Sequence, residues 1–404
     1  AGSSVYQEQL ANTPGKYPGW STTGQRLMQH CLPRKKLHIT GKGGSSMTPL
    51  TTEKIKSSVA ATTFNPSGLT AKQLLDALAS WSPIVRNQVG EALGRSEDNV
   101  VKELIAMLKS PNRYARYGAC EGLRYAGRGS EEAIMALLDI LNHDNDITLR
   151  YYAVVGLRKS RQPNNNDPEA IAAYAKSIAS GAAIEKVIPA LLKASTVNDP
   201  KIDPGRKLQN EIIELLFTNS GIANYTGYMP GGKGVEKVDS AYLIPALKSM
   251  LTNPNGRGRT AASSCYPYLS PEQLKALWGD IYYATKYQAP SGEMFATGVR
   301  SNGLKLMAEH SVKEGIPVGL DYALRQEGWG NKSRKYGGIP PLLAYGKALE
   351  SYVTEINGIL EKWQGRKAGS WNDQTNAANF KKQLDEALKK PAPTLISIKP
   401  YIDA

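Results

Sequence analysis

Three stretches of the chain repeat one pattern at a spacing close to that of a helical hairpin. They are VRNQVGEALG from Val85, ARYGACEGLRYAG from Ala115 and LRYYAVVGLRKS from Leu149. They place Arg86, Arg116 and Arg150 in register, together with Leu93, Leu123 and Leu157. The arginines are 30 residues apart (86 to 116) and then 34 (116 to 150). A period of that size marks stacked helix pairs, because one pair alone cannot cover its own apolar face and must bury it against the next.

The segments between these copies supply the partner helices. VVKELIAMLKS carries Leu104, Met107 and Leu108 at helical spacing, and EEAIMALLDILNH carries Ile134, Leu137, Leu138 and Leu141. VIPALLKAS from Val187 and YLIPALKSMLTN from Tyr242 share a near-identical string, a second repeat signal. Thr70 reads as an N-cap, Ser82-Pro83 opens a helix, and Ser110-Pro111 reads as the same device one unit later. GRKLQNEIIELLF, GRTAASSCYPYL and VRSNGLKLMAEHSVKEG are distant copies led by Arg206, Arg259 and Arg300. Residues 327–341 (EGWGNKSRKYGGIPP) break the array, and PLLAYGKALESYVTEINGILEKW reads as one amphipathic capping helix. A polar stretch, a helix through Leu388 and a Pro-containing tail follow.

Residues 1–68 are rich in Gly, Ser, Thr and Pro. They read as an irregular arm with a short helix over 25–32 and an extended piece over 36–40. Tyr6, Tyr17 and Trp20 point to an arm that packs along the repeats. The expected organisation is therefore the arm over 1–68, helical repeats over 69–326, and a loop, capping helices and tail over 327–404.

Composition bounds the function classes. No apolar run reaches the roughly eighteen residues of a membrane-spanning helix. The opening AGSSVYQEQLANTPGKYPGW has neither the basic nor the apolar region of an intact signal peptide, so a processed chain or an excised fragment is expected. A net charge of +14 attracts polyanions as well as conferring solubility. Cys31, Cys120 and Cys265 are too few and too scattered for a disulfide framework. Scarce cysteine, with 21 Tyr and only 4 Phe, leans towards a periplasmic or secreted protein.

The units at 82–160 resemble HEAT repeats, the armadillo-type helical hairpins. The resemblance rests on the Arg at the head of each second helix and on Ala92-Leu93, Gly122-Leu123 and Gly156-Leu157. The polar residue four before each Arg (Ser82, Asn112, Asp146) also fits. It spans roughly 80 residues clearly and about another 170 in degenerate form. It implies an all-α fold, a right-handed α-α superhelix with an irregular N-terminal arm. It also implies a tendency to bind extended partners, but no chemistry, because function sits in sites grafted onto folds. Similar arrays occur in bacterial envelope proteins, phycobilin lyases, a DNA-glycosylase family and eukaryotic transport scaffolds.

Candidate binding residues follow from chemistry. Arg113, Tyr117, Arg124, Arg128, Tyr151, Arg158 and Arg161 surround the register-matched arginines. Guanidinium forks grip phosphate or carboxylate, and phenol rings stack on bases or sugars. Arg86, Arg116 and Arg150 themselves read as structural, bonding polar groups of their own or the next loop, with Asp146 and Arg150 at a favourable i,i+4 spacing. Trp329, Tyr336 and Trp371, with Trp20, stand in Gly- and Lys-rich irregular segments that suit glycan or partner contacts, or anchor the arm and tail.

Other motifs are weak. GYMPGGKG imitates a phosphate loop but has Gly234 where Ser or Thr is needed. His30, Cys31 and His38 match no zinc spacing. Asp144-x-Asp146, Glu97-Asp98 and Glu131-Glu132 read as helix starts. No nucleophile motif occurs, and neither cofactor nor metal is expected. The expected function is a non-enzymatic scaffold or binding module for a protein partner or self-assembly, within a larger assembly. The alternatives are nucleic-acid binding on a basic concave face, and a polysaccharide-binding or polysaccharide-active protein.

Overall fold

The computed structural model describes residues 63–127, 130–160, 182–217, 235–254, 256–287, 296–325, 337–366 and 373–403, without the side chains at 158–160, 182–185, 217, 257 and 296–297. All lie in the second of two units of the chain, Lys56–Ala404. The expectations for residues 1–62 of the arm, for the 227–234 loop and for His30, Cys31 and His38 fall outside the described residues. Among the described residues no strand forms. The extended pairing there is an isolated parallel bridge between Val312 and Ile396.

Twelve helices among the described residues form six consecutive hairpins. The first helix of each pair is α1 (Ala71–Ala77), α3 (Val101–Met107), α5 (Glu131–His143), α7 (Ala182–Ala194), α9 (Ser240–Leu251) and α11 (Pro271–Lys286). The second is α2 (Pro83–Leu93), α4 (Arg113–Ala126), α6 (Ile147–Ser160), α8 (Lys207–Phe217), α10 (Gly256–Ser264) and α12 (Ala296–Glu309). Within each pair the two helices pack together, each second helix packs on the next second helix, and α3, α5, α7, α9 and α11 pack in sequence. Two layers of helices result, as a helical-repeat solenoid requires.

Local chemistry sets the boundaries. Thr70 and Gln73 form a capping box at α1, and Ser270 and Gln273 form another at α11. The Ser82 hydroxyl accepts from the Val85 N–H, with Pro83 in the first turn. One unit later the cap is Asn112, which accepts from the Tyr114 N–H at 2.9 Å. Ser110-Pro111 lies in the preceding bend, where Ser110 accepts from the Asn112 N–H, so the expected Ser-Pro start is corrected by two residues. Glu97-Asp98 is likewise a turn ahead of α3 rather than its first turn, because Ser96 and Asp98 bond each other. Asp146 accepts from the Thr148 and Leu149 N–H groups, and Ser130 caps the helix that carries Glu131 and Glu132.

One core runs through the hairpins. Leu93, Leu123 and Leu157 are buried in it beside Leu78, Leu104, Leu137, Ile212, Leu247 and Leu277. The small residue before each of the last two repeated leucines lets helices close up. A Cβ at Gly122 would collide with Leu104, and one at Gly156 would meet both methyls of Leu137. Gly118 faces the Leu78 carbonyl so closely that no side chain fits.

The C-terminal part builds a second core, from Ile316 in α13 (Gly315–Leu320) through α14 (Ile339–Leu343), α15 (Val353–Gln364) and α16 (Gln374–Leu388). The single capping helix expected over 341–363 is two pieces, α14 and then a 3-10 turn running into α15. The break is at Gly346, whose φ of +55° is open to glycine. There the chain turns to meet the backbone of Lys390, which accepts from the Lys347 N–H at 3.0 Å. The tail then returns to the hairpins. Ile398 joins the first core, and α17 (Lys399–Ile402) packs on α11.

Candidate functional site

Five of the six lead arginines do the same task. They donate to carbonyl oxygens at the end of the first helix of their own hairpin, groups that a helix leaves without partners. Arg86 bonds Ser80 O and Trp81 O at 2.8 and 2.9 Å. Arg116 bonds Ser110 O at 3.1 Å, Arg150 bonds Leu141 O at 2.8 Å, and Arg259 bonds Asn253 O at 2.7 Å. Arg300 reaches Lys286 O at 3.4 Å. Arg150 therefore does not pair with Asp146 as its spacing suggested, and Asp146 instead faces Arg116 at 3.8 Å. Arg206 departs from the pattern. It reaches forward to Ser249 O at the end of α9, while Gln209 serves the end of its own first helix at Ser195 O.

These anchored arginines carry a ladder across three hairpins. The Arg86 guanidinium lies 5.8 Å from the Tyr117 ring and 5.2 Å from the Tyr152 ring, and donates to the Tyr152 hydroxyl at 2.7 Å. Tyr117 and Tyr152 stack at 5.0 Å with 20° between their planes. The Tyr117 hydroxyl donates to Asp146 at 2.7 Å. Burial first, then that bond, pushes the Tyr117 hydroxyl up to about 12. Side chains of α2 and α6 thus meet across α4. Only the inside of a curved stack brings alternate hairpins together, so here the second helices are the inner layer and the first helices the outer.

A second row runs beside the ladder. Arg124 donates to Asn87 and to Glu121, each at 3.3 Å, and the Tyr125 hydroxyl bridges Asn87 and Glu91 at 3.0 and 3.2 Å. Burial raises the Glu121 carboxyl above its ordinary range, against the pull of Arg124. Arg113 differs from the others. It is exposed, lies over the Tyr114 ring and donates to its hydroxyl at 3.1 Å, which raises its pKa.

The structure links Arg113, Tyr117 and Tyr151 through the rings of Tyr114 and Tyr152, while Arg124, about three turns further along α4, stands apart in the second row. Tyr117 is buried and bonded within the ladder. The α6 backbone carries Arg158, whose side chain is outside the description. Arg128, Arg161, Trp329, Tyr336 and Trp371 lie outside the described residues. Repeat register pairs Tyr117 with Tyr151, yet the stacked ring is Tyr152. One residue turns a helix by about 100°, so register alone cannot choose between neighbours. Asn87 and Glu91 carry no sequence signal beyond their i,i+4 spacing on α2.

The arrangement can hold anionic or hydrogen-bonding groups at Arg113 and along the polar row. The Cys120 and Cys265 thiols are buried and pushed up by desolvation, unlike reactive thiols. No group of three His, Cys, Asp or Glu side chains able to hold a metal occurs among the described residues.

Residues 71–158 match the family of HEAT repeats. That stretch is the first three hairpins, the part that carries the ladder, and these hairpins are similar to HEAT repeats. No curated protein matches the chain.

Proposed function

We propose that this helical-repeat chain is a non-enzymatic binding module that engages a macromolecular partner along its inner layer, as a subunit of a larger assembly. One observation carries the reading. Hairpins 1–3 spend hydrogen bonds and aromatic stacking on fixing one another's inner side chains, so Arg113, Tyr114 and Tyr151 are presented on a pre-organised floor. Rigid aromatic and arginine groups lose little entropy on binding and are the usual anchors of protein interfaces. Arg124 adds the second row in this reading. Scarce cysteine supports placing the assembly outside the cytoplasm.

A photo-crosslinking amino acid at position 114 or 151, installed in the chain in its native host, tests the reading. Discrete adducts at these inner positions are expected, with none at position 135 on the outer layer. Equal adducts at inner and outer positions would refute it. Adducts with nucleic acid, and affinity falling steeply with salt, would favour the polyanion alternative.

A further inference from the structure

The two edges of the helix stack differ in chemistry. Because every hairpin packs in the same order, the turns inside the hairpins share one edge and the connections between hairpins share the other. The four most exposed large apolar side chains among the described residues all lie on the turn edge. They are Tyr287 at 57%, Ile84 at 52%, Ile202 at 51% and Trp81 at 49%. Trp81 and Ile84 flank the start of α2, Ile202 lies between α7 and α8, and Tyr287 follows α11.

Charge leans the same way, although Arg95, Lys102, Lys237 and Lys275 are exposed on the opposite edge. Lys109, Arg113, Lys201 and Lys286 are exposed on the turn edge, and none makes an ion pair among the described residues. Lys286 bonds the Tyr282 hydroxyl and Tyr287 and lies over the Tyr287 ring, and Arg113 bonds the Tyr114 hydroxyl. Asp76, Asp139 and Asp199 are exposed near the same edge, and Asp139 faces His143 at 2.9 Å. Asp144, Asp199 and Asp203 accept from the N–H groups of Asp146, Lys201 and Lys207. The opposite edge exposes Glu131, Glu132, Glu236, Asp239 and Glu272, at or just before the starts of outer helices.

We infer that the turn edge docks on a lipid bilayer carrying anionic headgroups, with Trp81, Ile84, Ile202 and Tyr287 entering the interface and the lysines and Arg113 meeting the headgroups. The spacing favours lipid over an acidic protein. The apolar side chains belong to hairpins 1, 4 and 6, separated by hairpins that lack them. A protein interface needs one contiguous patch of about 800 Å² per partner, whereas a fluid bilayer takes up each side chain independently. Unpaired basic groups add attraction to an anionic leaflet. Arg113, the first residue of α4, stands where this edge meets the inner layer and belongs to both; the four apolar side chains and the lysines lie on the edge alone, and the inference does not rest on the function proposed above.

Co-sedimentation of the full chain with vesicles tests it, comparing phosphatidylcholine alone with an equal mixture of phosphatidylcholine and phosphatidylglycerol. Binding to the anionic vesicles is expected, weakening with salt. Ile84→Ser with Ile202→Ser should lower partitioning by roughly tenfold or more, and Lys201→Glu with Lys286→Glu should also weaken it. Tyr268→Ser on the opposite edge should bind as the parent, with circular dichroism checking each fold. On the unaltered chain, brominated lipid should quench tryptophan emission, and the conservative Trp81→Phe, its fold checked in the same way, should remove a share of that quenching.

No binding to anionic vesicles, unchanged binding by the isoleucine variant, or an equal loss from Tyr268→Ser would overturn the inference. So would displacement by polyglutamate combined with binding that ignores the isoleucines, which would identify an acidic polypeptide instead.

Discussion

Arg86 is 2% exposed, yet its charge is accommodated by two carbonyls and a phenol. Removing it leaves three buried or half-buried acceptors without a donor. Arg86→Ala should therefore cost about 3 kcal/mol in urea unfolding, the range for breaking a buried charged hydrogen-bond network. Arg86→Lys should recover only part, because one ammonium cannot span acceptors on two hairpins as a planar fork does. Tyr117 gives a pH-dependent test. Its folded pKa of about 12 lies above the unfolded value near 10. The neutral phenol is favoured by the fold, so its contribution is complete below pH 10 and is lost as pH rises through about 12. Tyr117→Phe should lose less stability over that interval than the parent, as read from urea midpoints at each pH. Parallel curves would show that the Tyr117–Asp146 bond does not contribute.

Helix ends show how an element is held by residues far away in sequence. The Glu314 carboxylate accepts from the Ser397 hydroxyl and from the Ile398 N–H at 3.1 Å, fixing the tail where α17 begins. Burial opposes its charge, but the bonds from Ser397, Ile398 and Lys399 outweigh burial and hold its pKa below the usual carboxylate range. That stabilisation is present above the unfolded value near 4.5 and is lost as pH falls through the lower folded value. Glu314→Gln should speed amide hydrogen exchange over 396–402 at neutral pH while leaving the hairpins at 71–160 protected. Gly118→Ala tests the opposite kind of constraint. Its methyl has nowhere to go against the Leu78 backbone, so a loss of about 2 kcal/mol is expected from forced separation of α1 and α4. A gain in stability would mean that the helices part at no cost.

At the scale of the molecule, a repeat array approximates a chain of nearest-neighbour interactions. The Arg86–Tyr152 bond breaks that approximation by tying hairpin 1 to hairpin 3. The first three hairpins should therefore open as one cooperative unit. Arg86→Ala should lower hydrogen-exchange protection in α6 as well as α2. If only peptides from the first two hairpins respond, the long bond carries no coupling.

The sequence alone determined the hairpin architecture and the structural task of the lead arginines. Both are written in local chemistry: apolar spacing at 3.6 residues, cap residues ahead of helices, and an Arg four residues after each of Ser82, Asn112 and Asp146. Leu93, Leu123 and Leu157 were legible as core for that reason, and helix α16 ends at Leu388 as its pattern indicated. What the sequence left open depended on side-chain directions around curved helices. The choice of Tyr152 over Tyr151 as the stacked ring, the pairing of Asp146 with Arg116 rather than Arg150, and the break before Lys347 each turn on a partner between 30 and 43 residues away in the chain. The two chemically different edges have the same origin. Ile84, Ile202 and Tyr287 are unremarkable singly, and only the stacking of hairpins in one direction brings them to a common side.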